Sequence, residues 1–98
     1  MTAVRRAVVL CRPGTPSREV ERLANRYMLK VVHTIFTDTE SSKLAALVAL
    51  QHVVEHDTEV VVVPYLTYAQ VTNDQHWQSV TATSEVITVD GPSRNCRG

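Results

Sequence analysis

Two histidines and a glutamate have a spacing that could hold a metal ion, in the segment His52-Val-Val-Glu55-His56. Residues four apart share one face of a helix, and H-x-x-E-H is a metalloprotease pattern in which both imidazoles bind zinc and the glutamate acts as base. A catalytic zinc also needs a third protein ligand. The downstream residues able to supply one are Glu59, Asp74, His76, Glu85 and Asp90. Because the helix runs directly into a buried strand and leaves no room for a substrate cleft, we predict no catalytic metal and only a weak site at His52 and His56.

The loops that follow the predicted strands hold a second group of candidate residues, which could bind a small anion or a nucleotide. They are Arg12, Gly14, Thr15, Ser17, Asp38, Tyr65 and Tyr68. The first loop joins Arg12 to the start of a helix, where free N–H groups and a partial positive charge attract anions. The sequence has neither a glycine-rich phosphate fingerprint nor a P-loop lysine, so it indicates no particular nucleotide and no cofactor.

A basic stripe on the predicted first helix is a candidate for weak nucleic-acid binding, because Arg18, Arg22 and Arg26 recur every four residues. Residues 1–30 carry seven bases and two acids, whereas residues 31–90 carry one base and eight acids. This asymmetry suggests an anionic partner or self-association. The net charge is zero and the overall basicity typical of nucleic-acid-binding proteins is missing, so DNA is the weaker alternative partner.

Groups for covalent catalysis are not evident in the sequence. The serines fall in predicted caps and turns, and no nucleophile-elbow sequence is present. Cys11 ends an apolar strand, where we expect a buried, reduced side chain that packs as a small hydrophobe. We therefore assign no catalytic residue, and the sequence favours a protein that is not an enzyme. An enzyme whose catalytic residues are completed in trans by an oligomer stays an open alternative.

Alternating strands and helices position these residues, in the order βαβαβαβ. The predicted strands are 6–11, 30–36, 59–63 and 85–89, and the predicted helices are 16–29, 42–56 and 73–82. Four consecutive valines in the third strand require apolar cover on both faces, which is typical of a central parallel strand. Right-handed crossovers then predict a three-layer α/β sandwich with a four-stranded parallel sheet in the order 2-1-3-4. A ligand crevice would lie at the carboxyl ends of strands 1 and 3.

Residue spacing also predicts the ends and faces of the helices. Thr15 is expected to cap the first helix, and Thr72 with Gln75 has the spacing of a capping box for the third. The third helix would bury Trp77 and Val80. The inner side of the second helix would consist of Leu44, Leu47, Val48, Gln51 and Val54. The predicted contact surfaces are then its outer face, Ala45, Ala49 and His52, and the aromatic residues Tyr65 and Tyr68.

Length and composition fit one small domain. The chain has 98 residues, of which 44% are hydrophobic and 20% charged, as in ordinary globular proteins. We expect a single α/β domain over residues 1–92 and a flexible tail over 93–98. No apolar run approaches the roughly 20 residues of a membrane span, and the first apolar run is too short for a signal peptide. We therefore expect a cytoplasmic protein without a membrane partner.

The first loop and the third strand carry a resemblance to the N-terminal catalytic domain of serine recombinases, the resolvase and invertase family. In that family the first strand ends in a motif like Tyr-x-Arg-Val-Ser-Thr, and the matching stretch here is Leu10-Cys-Arg-Pro-Gly-Thr15. Arg12 falls on the family's first active-site arginine, but Gly14 stands where the nucleophilic serine is expected. Asp57-Thr58 matches the turn before the family's next apolar strand. The segment Val63-Pro-Tyr-Leu-Thr-Tyr-Ala69 then lacks the acid and the arginines of the family's second motif.

This resemblance covers about residues 6–89 and implies the fold of the family without its chemistry. Attack on a DNA phosphodiester needs the serine, and it needs arginines that neutralise the charge of the pentacovalent state. We therefore expect a non-catalytic, resolvase-like domain with a degenerate active site, which acts through protein interaction or self-association as a homodimer. The alternatives left open are the anion or nucleotide site after the first strand and weak nucleic-acid binding by the basic stripe.

Overall fold

A sheet of five strands with helices on both faces forms the fold. The computed structural model describes residues 4–92. Its elements are β1 (Arg5–Cys11), α1 (Ser17–Arg26), β2 (Leu29–Phe36), α2 (Ser42–His56), β3 (Val60–Val63), α3 (Tyr68–Thr72), α4 (Gln75–Thr83), β4 (Glu85–Thr88) and β5 (Gly91–Pro92). The strand order is β2-β1-β3-β4-β5, and the first four strands are parallel. The predicted alternation and the strand order 2-1-3-4 are therefore confirmed.

The valine strand β3 lies in the middle of the sheet, between β1 and β4, as predicted. All four of its valines are buried. Val61 and Val63 belong to a core on the side of α2, α3 and α4, which also contains Trp77 and Val80. The other two valines belong to a smaller core on the opposite side, under α1. The sheet therefore has apolar cover on both faces, and the predicted burial of Trp77 and Val80 is confirmed.

The chain continues past the predicted end of the sheet into the short strand β5. Gly91 pairs with Thr88 in an antiparallel ladder. Its φ of 112° lets the chain reverse at a position where a side chain would be strained. The Thr88 hydroxyl holds the turn, because it donates to the Gly91 carbonyl at 3.0 Å and accepts from the Asp90 N–H at 3.2 Å. The expected tail, residues 93–98, lies outside the described residues.

Helix α1 begins and ends differently from the prediction. Its N-cap is Pro16, without a side-chain hydrogen bond, so the predicted cap by Thr15 is wrong. The Thr15 hydroxyl instead accepts from the Arg12 N–H at 3.2 Å and closes the loop within itself. At the other end, Met28 adopts a left-handed φ of 57°, which turns the chain into β2 and ends the helix three residues before the predicted boundary.

The helix predicted over 73–82 corresponds to α4, and a short helix that the sequence did not predict, α3, precedes it. The capping box lies at Thr67 and Gln70 and starts α3, so the predicted box at Thr72 and Gln75 is wrong. Asp74 caps α4, because its carboxylate accepts from the backbone N–H groups of the next helical turn at 2.8 and 3.3 Å. A short capped helix before Asp74 has no apolar periodicity of its own, and the sequence pattern therefore did not reveal it.

Helix α2 has the predicted bounds but the opposite orientation. The residues predicted to face inward include Leu44, Leu47 and Val54, which are 53%, 51% and 78% exposed. Of the predicted inner residues, only Val48 packs against the core. The buried residues are instead Ala45, Ala46, Ala49 and Val53. Small side chains fit this close contact because the valines of β1 and β3 already fill the space beneath the helix. No helix among the described residues, α2 included, is long and apolar enough to cross a membrane.

Candidate functional site

The predicted crevice at the carboxyl edge of the sheet brings together two of its seven candidate residues. The Arg12 guanidinium carbon lies 5.1 Å from the centre of the Tyr65 ring, a distance suited to a cation–π contact. Both residues line a cavity of about 340 Å³ that also includes Ser41, the N-cap of α2, and Asp74. Burial raises the pKa of the Tyr65 hydroxyl, with Arg12 acting in the opposite direction.

The other predicted crevice residues lie elsewhere. Thr15 and Ser17 line a separate cavity of about 370 Å³ between α1 and β2, because α1 lies on the opposite face of the sheet from α2. Tyr68 lines a third, open cavity of about 800 Å³. Asp38 is exposed, and Gly14 lies exposed in its loop with a φ of 94°. The seven candidate residues therefore do not line the single predicted crevice.

The basic stripe of α1 is exposed, as its spacing predicted. Arg18, Arg22 and Arg26 all lie on the surface. Arg22 forms an ion pair with Glu19 one turn earlier, and the Arg26 guanidinium carbon lies 5.7 Å from the centre of the Tyr27 ring. Two of the three arginines therefore already have partners within the helix or at its end.

Cys11 is buried, in agreement with its prediction as a packed hydrophobe. Its side chain belongs to the core on the α1 side of the sheet, and burial raises the pKa of its thiol. A thiol in this state is a poor nucleophile at neutral pH. The second cysteine, Cys96, lies outside the described residues.

The predicted contact surface on α2 is wrong, because Ala45 and Ala49 are buried and His52 is half-buried. The exposed side of the helix carries four residues that we call the α2 strip: Leu44, Leu47, Gln51 and Val54. Of the predicted aromatic contact residues, Tyr65 is half-buried and Tyr68 is exposed. The apolar surface available to a partner on this helix is therefore the one that the sequence assigned to the core.

Three histidines come together on one side of α2, and we call them the histidine cluster: His33, His52 and His56. Each offers a ring nitrogen, and these atoms all lie within 4.8 Å of one another. The three rings form a nearly equilateral triangle, in which the His33 centroid lies 5.3 Å from that of His52 and 4.8 Å from that of His56. The two helical rings are 5.6 Å apart and nearly parallel. The structure thus adds a third imidazole to the pair that the sequence identified.

A β-bulge at Val32 turns His33 towards α2. Val31 pairs with Ala7 and His33 pairs with Val8, so Val32 has no partner in β1. Ala7 packs on the α1 side of the sheet and Val8 on the α2 side. The extra residue shifts the alternation of β2, and His33 therefore shares the face of Val8.

His52 has a buried nitrogen without a hydrogen-bond partner among the described residues. Its Nδ1 is inaccessible to solvent, and the Glu55 Oε1 atom lies 3.9 Å away, beyond hydrogen-bonding distance. Buried polar atoms are nearly always paired, with protein, water or an ion. Three imidazoles with one such unsatisfied nitrogen form a donor set that suits a divalent transition-metal ion.

Sequence reasoning missed His33 because it searched for a third ligand only after the helix. The right-handed crossover from β2 through α2 to β3 places α2 beside β2, so a histidine on β2 was within reach. Strict strand alternation would have placed His33 on the same face as Val31, under α1. The bulge that reverses this has no signal in the apolar run 29–36.

Comparison of the chain with protein-family models, with curated proteins and with solved structures finds no match. The resemblance to serine recombinases therefore remains a prediction from the sequence.

Proposed function

We propose that this protein acts through self-association, and that the α2 strip of one copy packs against the same strip of a second copy. The observation that carries this proposal is the apolar surface of α2. A helix that is hydrophobic on every side is normally buried on every side. In the single chain, Leu44, Leu47 and Val54 are among the large hydrophobic residues that remain exposed.

The spacing of the α2 strip favours a second helix as the partner. Its residues follow one another at intervals of three, four and three positions, which is the spacing of a two-helix seam with interlocking side chains. Gln51 is the polar residue of the seam. A single polar residue at such a position favours one register over others, at some loss of stability.

The charges of α2 favour an antiparallel pair. Lys43 lies at the start of the helix, and Glu55 and Asp57 lie at its end. In an antiparallel arrangement, each lysine meets the acidic end of the other helix, and Leu44 lies opposite Val54. A parallel arrangement would place like charges together at both ends. The result is a symmetric homodimer in which both copies use the same surface.

The area of such an interface is small, and the dimer should be weak. Stable interfaces commonly bury about 1,200–2,000 Å² in total, and smaller ones belong to transient complexes. A single helix pair with three large apolar residues from each copy buries an area at or below the lower end of this range. We therefore expect a dissociation constant on the order of micromolar or weaker.

Sedimentation over a wide range of protein concentrations tests the proposal, with Val54→Lys and Val4→Lys as matched variants. Both valines are exposed, at 78% and 56%, and only Val54 belongs to the α2 strip. Val54→Lys should weaken dimerisation by at least about tenfold, since it places a charge in the seam next to Lys43 of the second copy. Val4→Lys should have no effect. A wild-type chain that stays monomeric at millimolar concentration contradicts the proposal, as does a dimer that Val54→Lys leaves intact.

A charge exchange tests the orientation of the pair. Lys43→Glu should weaken an antiparallel dimer, because the new carboxylate meets the acidic end of the second copy. Adding Glu55→Lys should restore part of the lost affinity. In a parallel pair the first substitution would only replace one like-charge contact with another, and dimerisation would change little.

A further inference from the structure

We infer that the histidine cluster binds one divalent transition-metal ion, zinc in the first place, and that the ion fastens the edge strand β2 to α2. This inference is independent of self-association. It rests on three imidazoles from two elements whose nitrogens lie within 4.8 Å of one another. The buried Nδ1 of His52 has no hydrogen-bond partner among the described residues, so this nitrogen is free to carry the ring proton when Nε2 binds the ion.

The cluster can reach coordination geometry by small side-chain rotations. Zinc–nitrogen bonds of about 2.0–2.1 Å place two tetrahedral ligands roughly 3.3 Å apart, so the nitrogens must approach one another by up to about 1.5 Å. The last torsion of a histidine is soft. His33 is exposed and His56 half-buried, so their rings have room to turn from the stacked arrangement until one nitrogen of each points to a common centre.

The donor set determines which ions bind. Neutral imidazoles suit zinc, copper, nickel and iron, whereas calcium and magnesium prefer oxygen ligands. The cluster brings three nitrogens and no thiolate or carboxylate. Three protein ligands leave the fourth zinc position open to water, and the exposure of His33 places that position at the surface.

Glu55 is a positioning residue for this site. Its Oε1 atom lies 3.9 Å from His52 Nδ1, and its side chain is exposed on α2. A change of rotamer would let it accept the Nδ1 proton, which leaves Nε2 of the same ring for the metal. Metal-bound histidines usually donate their second nitrogen in this way, and the contact fixes the orientation of the ring.

Metal binding would act on the stability of the edge strand. β2 pairs only with β1 among the described strands, and its outer edge has no neighbour there. An ion bound to His33, His52 and His56 crosslinks β2 to the helix that follows it. Because the unfolded chain does not hold the three imidazoles together, zinc at 100 times its dissociation constant should lower the unfolding equilibrium constant about 100-fold.

Titration of the untagged chain with zinc, and with cobalt as a spectroscopic probe, tests the inference. Wild type should bind one ion per chain, unfold at a higher temperature with zinc and give cobalt d–d absorption in the visible range. His33→Ala should reduce the affinity for zinc at least about tenfold and abolish the thermal shift. Glu55→Gln, which removes only a partner of a bound histidine, should reduce the affinity less. His76→Ala is the matched control, because His76 lies on α4 away from the cluster.

Several outcomes would overturn the inference. They are the absence of saturable zinc binding below about 1 mM, an equal loss of zinc affinity in His33→Ala and His76→Ala, and a thermal stabilisation by calcium as large as that by zinc. His33→Gln gives a second variant at the same exposed position, and circular dichroism verifies that each variant is folded. Cys96→Ser should leave zinc affinity unchanged. Val54→Lys should retain zinc binding, so failure of the metal site and failure of self-association are distinguishable.

Discussion

The orientation of α2 can be tested with a reciprocal pair of substitutions, Ala49→Val and Val54→Ala. Ala49 is 0% exposed and Val54 is 78% exposed. Both substitutions exchange the same two side chains within one helix, so the intrinsic helix preference enters them with opposite signs. A difference in the free energy of unfolding that exceeds this contribution of helix preference therefore comes from packing. The pair therefore measures which side of α2 faces the sheet, and the α2 strip and the histidine cluster both depend on that.

Ala49→Val is expected to lower the free energy of unfolding by about 2–3 kcal/mol. Ala49 belongs to the core that contains the valines of β1 and β3, and extra carbon atoms in a filled core cost about 1–3 kcal/mol. A β-branched residue in a helix adds roughly 0.5 kcal/mol. Both effects have the same sign.

Val54→Ala is expected to change the free energy of unfolding by less than about 0.5 kcal/mol. The substitution removes two carbon atoms, each worth about 0.8 kcal/mol when fully buried. Since Val54 is 78% exposed, only about a fifth of that is lost, or roughly 0.3 kcal/mol. The higher helix propensity of alanine offsets this loss.

Urea unfolding followed by Trp77 fluorescence provides the assay, because Trp77 is the only tryptophan of the chain and is buried. The protein is kept dilute so that the α2 strip is unpaired. Ala49→Val should shift the midpoint downward by on the order of 1 M, and Val54→Ala should leave it nearly unchanged. The reverse pattern, with Val54→Ala lower by about 2–3 kcal/mol, would refute the orientation and place the leucines of α2 in the core.

Two further predictions concern a helix cap and a tight turn. Asp74→Ala should lower stability by about 1 kcal/mol at neutral pH. A hydrogen bond from Ser42 lowers the pKa of the Asp74 carboxyl. The contribution of Asp74 to stability is therefore complete above about pH 4 and disappears as the pH falls through the lowered pKa. A pH series in which the stabilities of wild type and Asp74→Ala never converge in acid contradicts this prediction. Gly91→Ala should lower the free energy of unfolding in urea more than Gly14→Ala does. Both glycines have a positive φ, but only a Cβ at position 91 would lie 2.8 Å from the Tyr27 hydroxyl. Removing that hydroxyl by Tyr27→Phe should therefore restore part of the stability that Gly91→Ala loses.

The sequence predicted most of the fold because its strands differ clearly from its helices. Four consecutive valines are compatible with a buried central strand and with little else, and the alternation of elements then restricts the topology. Helix α2 shows the limit of this reasoning. Its leucines, alanines and valines surround the whole helix, so apolar spacing could not decide which side faces the sheet. Close packing favoured the alanines, which no periodicity indicates.

The candidate site was predictable only in part, for a related reason. His52 and His56 were found because helical spacing alone places them on one side. His33 depends on the local register between β2 and β1, where Val32 has no partner, and register irregularities are set by tertiary contacts. Arg12 and Tyr65 lie near each other, as the strand order predicts. The Thr15 hydroxyl accepts a hydrogen bond from the Arg12 N–H, but Thr15 lines the cavity between α1 and β2.

The bulge in β2 separates the position of His33 from the length of the chain before it. His33 lies opposite Val8 because residues 33–36 follow the ladder with β1 beyond Val32, which has no partner there. Deletion of Val32 would restore a regular ladder and leave His33 on the face of Val8, so the cluster would persist without the bulge. In evolutionary terms, one codon could be gained or lost just before His33 while the three imidazoles stayed together, because the bulge absorbs the extra residue.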